Sequence, residues 1–428
     1  MNSTLTQMTA TESARAIRAG QLTSEALVAA CLERIAARDE ALRAWVHVAG
    51  EAALTQARRL DKTPSLSPLH GVPVGIKDIL DTADMPTEHG SPIYRGNRPR
   101  ADAAAVALLR QAGCVILGKT ATAEFANVHP PATRNPHNYA HTPGGSSSGS
   151  AAAVADRMVP LALGTQTGGS VIRPAAFCGV VGLKPEFGNI NRAGVKPVSD
   201  SLDTVGVFAN SVEDAAVALH VLAGHRLPDF AEEIRAPRIG FARTSHWMDS
   251  DDSTRTALEA AAGRLSTAGA RVAEVTLPDA VEALFDAQGI IMDFEAARAL
   301  AWEQAEHRAL LSKRLLERLA NGWAISRERY DSARLTARKA RAQFAGLMGD
   351  YDLLITPAAR GEAPLGHATT GDALFNRIWT LLGVPCITLP CGVGVQGLPL
   401  GVQLVASIDN DTALLARAHW ATKALARS

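Results

Sequence analysis

The sequence predicts an α/β protein built on a mostly parallel or mixed sheet. Three observations lead there. Short apolar runs recur between residues 72 and 406, with Ala-rich helical segments between many of them. The stretch before them, residues 9–60, has helical instead of strand-like periodicity. The chain of 428 residues is 47% hydrophobic and 20% charged, enough apolar content to bury a large core.

The elements follow in order. Thr11 can start a first helix and Ser24-Glu25 a second, LVAACLERIAARDEALRAWV, with apolar positions at helical spacing. The expected strands are 72–76, 114–117, 159–163, 180–183, 239–242, 272–275, 353–356, 386–389 and 402–406. Residues 101–112 and 212–223 are Ala-rich helices between strands. DSTRTALEAAAGRLSTAGA is an amphipathic helix, and 280–349 is almost continuously helical. That region either covers part of the sheet and a cleft or packs peripherally. No repeat and no Pro/Ser-rich linker divides the chain. The expectation is one domain, residues 1–428, with N-terminal helices to about 65, a core at about 66–216 and a helical excursion at about 251–350.

Composition narrows the function classes. Lys+Arg and Asp+Glu both total 43, a zero net charge that gives no support for nucleic acid or an acidic membrane. The five cysteines, Cys31, Cys114, Cys178, Cys386 and Cys391, lack C-x-x-C spacing and read as reduced small hydrophobes. The N-terminus has no apolar signal-like run, and no stretch of about 18 apolar residues could span a bilayer. A cytoplasmic protein is expected.

The chemistry concentrates in residues 144–185, GGSSSGSAAAVADRMVPLALGTQTGGSVIRPAAFCGVVGLKP. Two Gly/Ser clusters are set in apolar, strand-like sequence, which a linker would not resume. In GTQTGGS, Thr167, Gly168, Gly169 and Ser170 offer successive N–H groups on a nearly bare backbone, suited to a developing oxyanion beside a hydroxyl. A plain Gly-rich turn would read the same. GGSSSGS supplies Ser146, Ser147, Ser148 and Ser150. Ser147 fits G-x-S-x-G, but the preceding RNPHNYAHTP is not a strand, and a phosphate loop would need a lysine at its end. Lys77 closes the apolar run of GVPVGIKDIL. A desolvated ammonium is costly, so it reaches a surface, pairs with a carboxylate such as Asp78, or is held neutral as a base. His129, His137 and His141 lack metal-ligand spacing, and no metal site is expected.

Taken together these segments resemble the amidase signature family of amide hydrolases. The likeness runs through GVPVGIKDIL, GCVILGKTATAEFA, NPHNYAHTPGGSSSGSAAAVA, LALGTQTGGSVIRPAAFCGVVGLKP and SDSLDTVGVFANSVEDAA, and resumes in GVPCITLPCG and GLPLGVQLVA. It is continuous over about 66–216. The resemblance implies a mixed central sheet with helices on both faces and a cofactor-free Ser–cis-Ser–Lys site. By motif Ser170 is the nucleophile, Ser146 the bridging serine after a cis Gly145–Ser146 bond, and Lys77 the base. Thr167 to Ser170 form the oxyanion hole, and Ser147 is a hydrogen-bonding neighbour.

Departures sharpen the expectation. Gln166 stands where many members have Asp, Ser148 where Gly is usual, and Val207 where Pro is common. GSVIRP puts Arg173 three residues after Ser170, similar to malonamidase-like members in which that arginine binds a substrate carboxylate; a structural salt bridge is the alternative. Arg173, Ser147 and Gln166 are the expected substrate-binding residues. The expected activity is hydrolysis of a small amide, a carboxylated, malonamate-like one being one option, releasing ammonia or an amine through a seryl acyl-enzyme. The alternatives are the amidase subunit of a glutamine-dependent tRNA amidotransferase, or a non-catalytic binding member. The expected partners are a small-molecule amide substrate, without nucleic acid or membrane, and a second copy of the chain as a homodimer.

Overall fold

The computed structural model describes residues 2–232 and 234–426. Among the described residues eleven strands form one sheet: β1 (Trp45–Val48), β2 (Pro73–Lys77), β3 (Val115–Thr120), β4 (Leu161–Gln166), β5 (Val181–Lys184), β6 (Thr204–Ala209), β7 (Arg238–Ala242), β8 (Arg271–Val275), β9 (Leu353–Pro357), β10 (Cys386–Val393) and β11 (Pro399–Val405). Their spatial order is β1-β3-β2-β4-β6-β5-β10-β11-β9-β7-β8. The sheet is mixed. β2 runs parallel to β3 and β4, and β7 to β8 and β9, while β4–β6, β5–β6, β5–β10, β10–β11 and β9–β11 are antiparallel.

Alternation along the strands divides the core between two faces. Leu161, Leu163, Val205, Val207, Val402 and Leu404 pack on one side against the helices Val212–Ala223, Asp252–Thr267 and Asp411–Leu425. Ala162 and Phe208 point the other way, to the helices Ser24–Leu42 and Ser148–Ala155. Further along that second face, Leu354, Cys386 and Val405 meet the helices Leu284–Ala299, Arg327–Leu347 and Leu374–Leu382. All five cysteines are buried and free.

Two strands were not expected from the sequence. The helix read through to Val46 stops at Leu42: Arg43 takes a left-handed conformation, and the Asp39 carboxylate accepts the Ala44 N–H at 2.7 Å. Trp45 and Val46 then enter β1, which pairs with β3. β6, interrupted by Gly206, lies between β4 and β5.

Candidate active site

Lys77 ends β2, the central strand of a parallel trio, and is fully buried. Its Nζ lies 2.8 Å from Ser146 Oγ and 2.8 Å from Thr165 Oγ1 on neighbouring β4. The pairing with Asp78 does not occur; that carboxylate faces Lys119 Nζ at 3.0 Å. Burial with only hydroxyl neighbours pulls the Lys77 pKa down from 10.5 to about 7, against a smaller upward pull from the Asp203 charge. A lysine so tuned can take and return a proton near neutral pH.

The Gly145–Ser146 peptide is cis. A Cβ on Gly145 would come within 2.7 Å of both Ser148 Oγ and Thr370 Cγ2, so a larger residue would force these side chains to shift. The other serines of the cluster bind backbone. Ser147 Oγ donates to Thr165 O at 3.2 Å and accepts Thr165 N–H, Ser148 Oγ donates to Gly144 O, and Ser150 Oγ to Leu163 O. Ser147 and Ser150 fasten the loop to β4, Ser148 closes the loop on itself, and of the serines in this cluster only Ser146 meets the lysine.

The turn after β4 is held by its carbonyls. Gln288 Nε2 donates to Thr167 O at 2.9 Å, Thr380 Oγ1 to Gly168 O at 2.8 Å, and Arg173 N–H to Gly169 O at 3.0 Å. Thr167 Oγ1 donates to Asp203 Oδ1 at 2.5 Å. The other Asp203 oxygen accepts the N–H groups of Val198 and Ser199. Burial still outweighs these bonds and raises the Asp203 pKa to about 6. Thr167, Gly168, Gly169 and Ser170 border a cavity of about 480 Å³.

Two expected substrate-binding residues are placed elsewhere. Gln166 faces away from the cavity: its Oε1 accepts the N–H groups of Val171 and Ile172 at 2.9 and 3.0 Å, and its Nε2 donates to Thr380 Oγ1. It thus anchors the start of the helix Ile172–Cys178, whose first-turn donors have no partner within the helix. Ser147 is consumed by Thr165 and is absent from the cavity wall. Arg173 does border the cavity. It is 5% exposed and donates to Gly145 O and, at 3.2 Å, to Thr370 Oγ1, while its Nε has no partner. Burial lowers its pKa to about 10. Among the described residues no carboxylate forms a salt bridge with it, so the structural ion pair is not its role.

Sequence reasoning missed Thr165, Asp203, Gln288 and Thr380. Asp203 lies within a stretch that carried the family resemblance, but its contact with Thr167 spans 36 positions. Gln288, from the helix Leu284–Ala299, and Arg318, from the helix Lys313–Ala324, both border the cavity. Of the two readings of the helical region, the structure shows the one in which it covers the cleft. Among the described residues no group of three or more His, Cys, Asp or Glu could hold a metal ion.

The family model named Amidase matches residues 26–415. The chain belongs to the amidase family. It is an amide-cleaving enzyme. It is 36% identical over 460 residues, 94% of this chain and 93% of the relative, to the glutamyl-tRNA(Gln) amidotransferase A subunit of Chloroflexus aggregans (strain MD-66 / DSM 9485). The chloroplastic/mitochondrial protein of the same name from Zea mays is 34% identical over 488 residues, covering 97% of this chain and 89% of its own. A solved structure described as an amidase superposes with a TM-score of 0.88 at 31% identity, over 96% of this chain and 99% of the other.

These relatives correct one expectation and reorder another. By name they are subunits of an enzyme acting on glutamyl-tRNA, which overturns the expectation of a small-molecule amide partner without nucleic acid. The same names favour the alternative of an amidotransferase subunit over the free-standing small-amide reading. Among the described residues no helix is long and apolar enough to cross a membrane.

Proposed function

We propose that this chain cleaves a primary carboxamide through a seryl acyl-enzyme and works as the A subunit of a tRNA-dependent amidotransferase, releasing ammonia for its partners to use. The observation that carries the chemistry is the fully buried Lys77, tuned to about 7 and 2.8 Å from Ser146 Oγ. The assembly is supported by likeness to the amidotransferase subunits over nearly the whole chain.

In this reading Ser170 Oγ attacks the amide carbon while its proton passes to Ser146, whose own proton goes to neutral Lys77. The C–O bond forms and the carbonyl electrons move to oxygen. The N–H groups of Thr167 to Ser170 receive that oxyanion, their carbonyls being tied back by Gln288, Thr380 and the Arg173 N–H. Collapse breaks the C–N bond as the proton returns through Ser146 to nitrogen, and ammonia leaves. Water then cleaves the acyl-enzyme by the same route, giving a carboxylic acid and free Ser170.

A second reading, a free-standing amidase of a carboxylated amide, is favoured by Arg173, a buried guanidinium at the cavity without a carboxylate partner. Ammonia release from glutamine, malonamate and propionamide, with Ser170→Ala as blank, tests both readings. Glutamine turnover together with co-purifying subunits supports the first. Turnover of malonamate by the isolated chain, lost selectively in Arg173→Ala, supports the second. Undiminished release by Ser170→Ala refutes the assignment of the nucleophile.

A further inference from the structure

One side chain at the cavity takes no part in the chemistry above. Asn127 borders it together with Ser170 and Arg173. It is 7% exposed, and both its Oδ1 and its Nδ2 are buried without a hydrogen-bond partner. A buried carboxamide with both ends unpaired forfeits the hydration of each and gains nothing in exchange. The backbone nevertheless holds it there. Phe125 and Ala126, just before it, sit at φ 46° and 55°, left-handed values without a glycine. The Phe125 N–H donates to His89 O and the Asn127 N–H to Glu124 O, each at 2.8 Å. The neighbouring carboxamide on the cavity wall, Gln288, is by contrast engaged, with Nε2 on Thr167 O and near Met292 Sδ.

We propose that Asn127 is a specificity-determining residue that reads a second, non-scissile group of the substrate. That group presents an N–H donor and a C=O acceptor on one edge, as a carboxamide or peptide unit does. Two carboxamides pair edge to edge with one N–H···O bond in each direction, which satisfies both orphaned atoms of Asn127 at once. A carboxylate offers no donor and an alkyl chain offers neither. Asn127 therefore selects a feature distinct from the negative charge that suits Arg173. The inference rests on the amide-cleaving reading of this site and narrows it: the substrate is an amide bearing a second amide-like group, a feature free glutamine lacks, so a confirmed glutaramide preference would also count against glutamine as the amide donor.

The test is calorimetric binding to Ser170→Ala, where turnover cannot interfere, of glutaramide and of pentanamide, which matches it in length without the second carboxamide. Glutaramide should bind more tightly. Adding Asn127→Leu should weaken glutaramide by about tenfold and leave pentanamide within about twofold, as expected for two neutral hydrogen bonds. Asn127→Leu in the otherwise unaltered chain should melt no lower than the parent, because it removes unpaired polar atoms. Equal binding of the two ligands by the parent, no measurable binding of glutaramide, equal losses for both in the variant, or a lowered melting temperature would each overturn the proposal. Turnover of pentanamide by the unaltered chain is measured separately. If it is absent while the binding preference persists, the hydrolytic reading fails and the role of Asn127 stands.

Discussion

Replacing Lys77 by Met asks whether the fold holds this lysine neutral. Met is similarly long and unbranched, is apolar and does not titrate. Lys77 is fully buried with a pKa near 7, against 10.5 for an unburied side chain. Between those values the unfolded chain carries a proton that the folded protein has shed. Stability therefore rises with pH across that window, and below about pH 7 the folded protein bears the full penalty. A tenfold change in proton affinity corresponds to about 1.4 kcal/mol, so from pH 7 to pH 9 the wild type should gain roughly 2 kcal/mol that Lys77→Met does not gain. The loss of the Ser146 and Thr165 contacts adds an offset that is independent of pH, so it cancels in this comparison. Denaturant unfolding of both proteins at pH 7, 8 and 9 measures the effect. In parallel, wild-type kcat/KM should fall about tenfold for each pH step of one below pH 7 and level off above it, while the variant should have lost turnover. Stability curves that run parallel with pH, or a flat rate profile through pH 7, would refute the neutral-lysine argument.

Three other perturbations probe the surroundings. Gly169→Ala would place a Cβ 2.2 Å from the buried Asn376 Oδ1, displacing the turn; kcat should drop about a hundredfold with little change in KM, in steady-state kinetics on the best amide. Gln166→Leu should lower stability by at least about 1–3 kcal/mol by orphaning the Val171 and Ile172 N–H groups, and Gln166→Glu, which keeps the acceptor, should lose far less in thermal melts. Asp203→Asn removes a charge that raises the Lys77 pKa, so the rise of the pH–rate profile should move to lower pH; an unmoved or alkaline-shifted midpoint would count against that coupling.

Much of the sheet was legible because buried strands are short apolar runs bounded by turn residues. β1 was not, because Trp45 and Val46 continue a helical pattern that only the Asp39 carboxylate and the left-handed Arg43 interrupt. β6 was not read either, although TVGVFA is interrupted by one glycine just as the expected strands at 72–76, 180–183 and 239–242 are; Gly206 sits where a Cβ would meet Val171 and the Leu183 carbonyl. The face to which each residue points could not be read either. In β4, Leu161, Ala162 and Leu163 are all apolar, and both faces of the strand are covered.

The residue types at short spacing determined the rest of what the sequence could give. Gly and Ser clusters dictate where backbone can approach a substrate, and the apolar run ahead of Lys77 places that lysine at a buried strand end. What each group then does was decided by the tertiary structure. Lys77 meets Ser146 across 69 positions, Gln166 turns to Thr380 across 214, and Thr167 is held by Gln288 across 121. Ser147 and Gln166 look like cavity residues in the chain and are fasteners in the fold, while Asn127, unremarkable in sequence, is left unpaired at the cavity wall. The reason is physical. Protonation and hydrogen-bond partnership depend on burial and on neighbours in space, and those are set only when distant segments pack together.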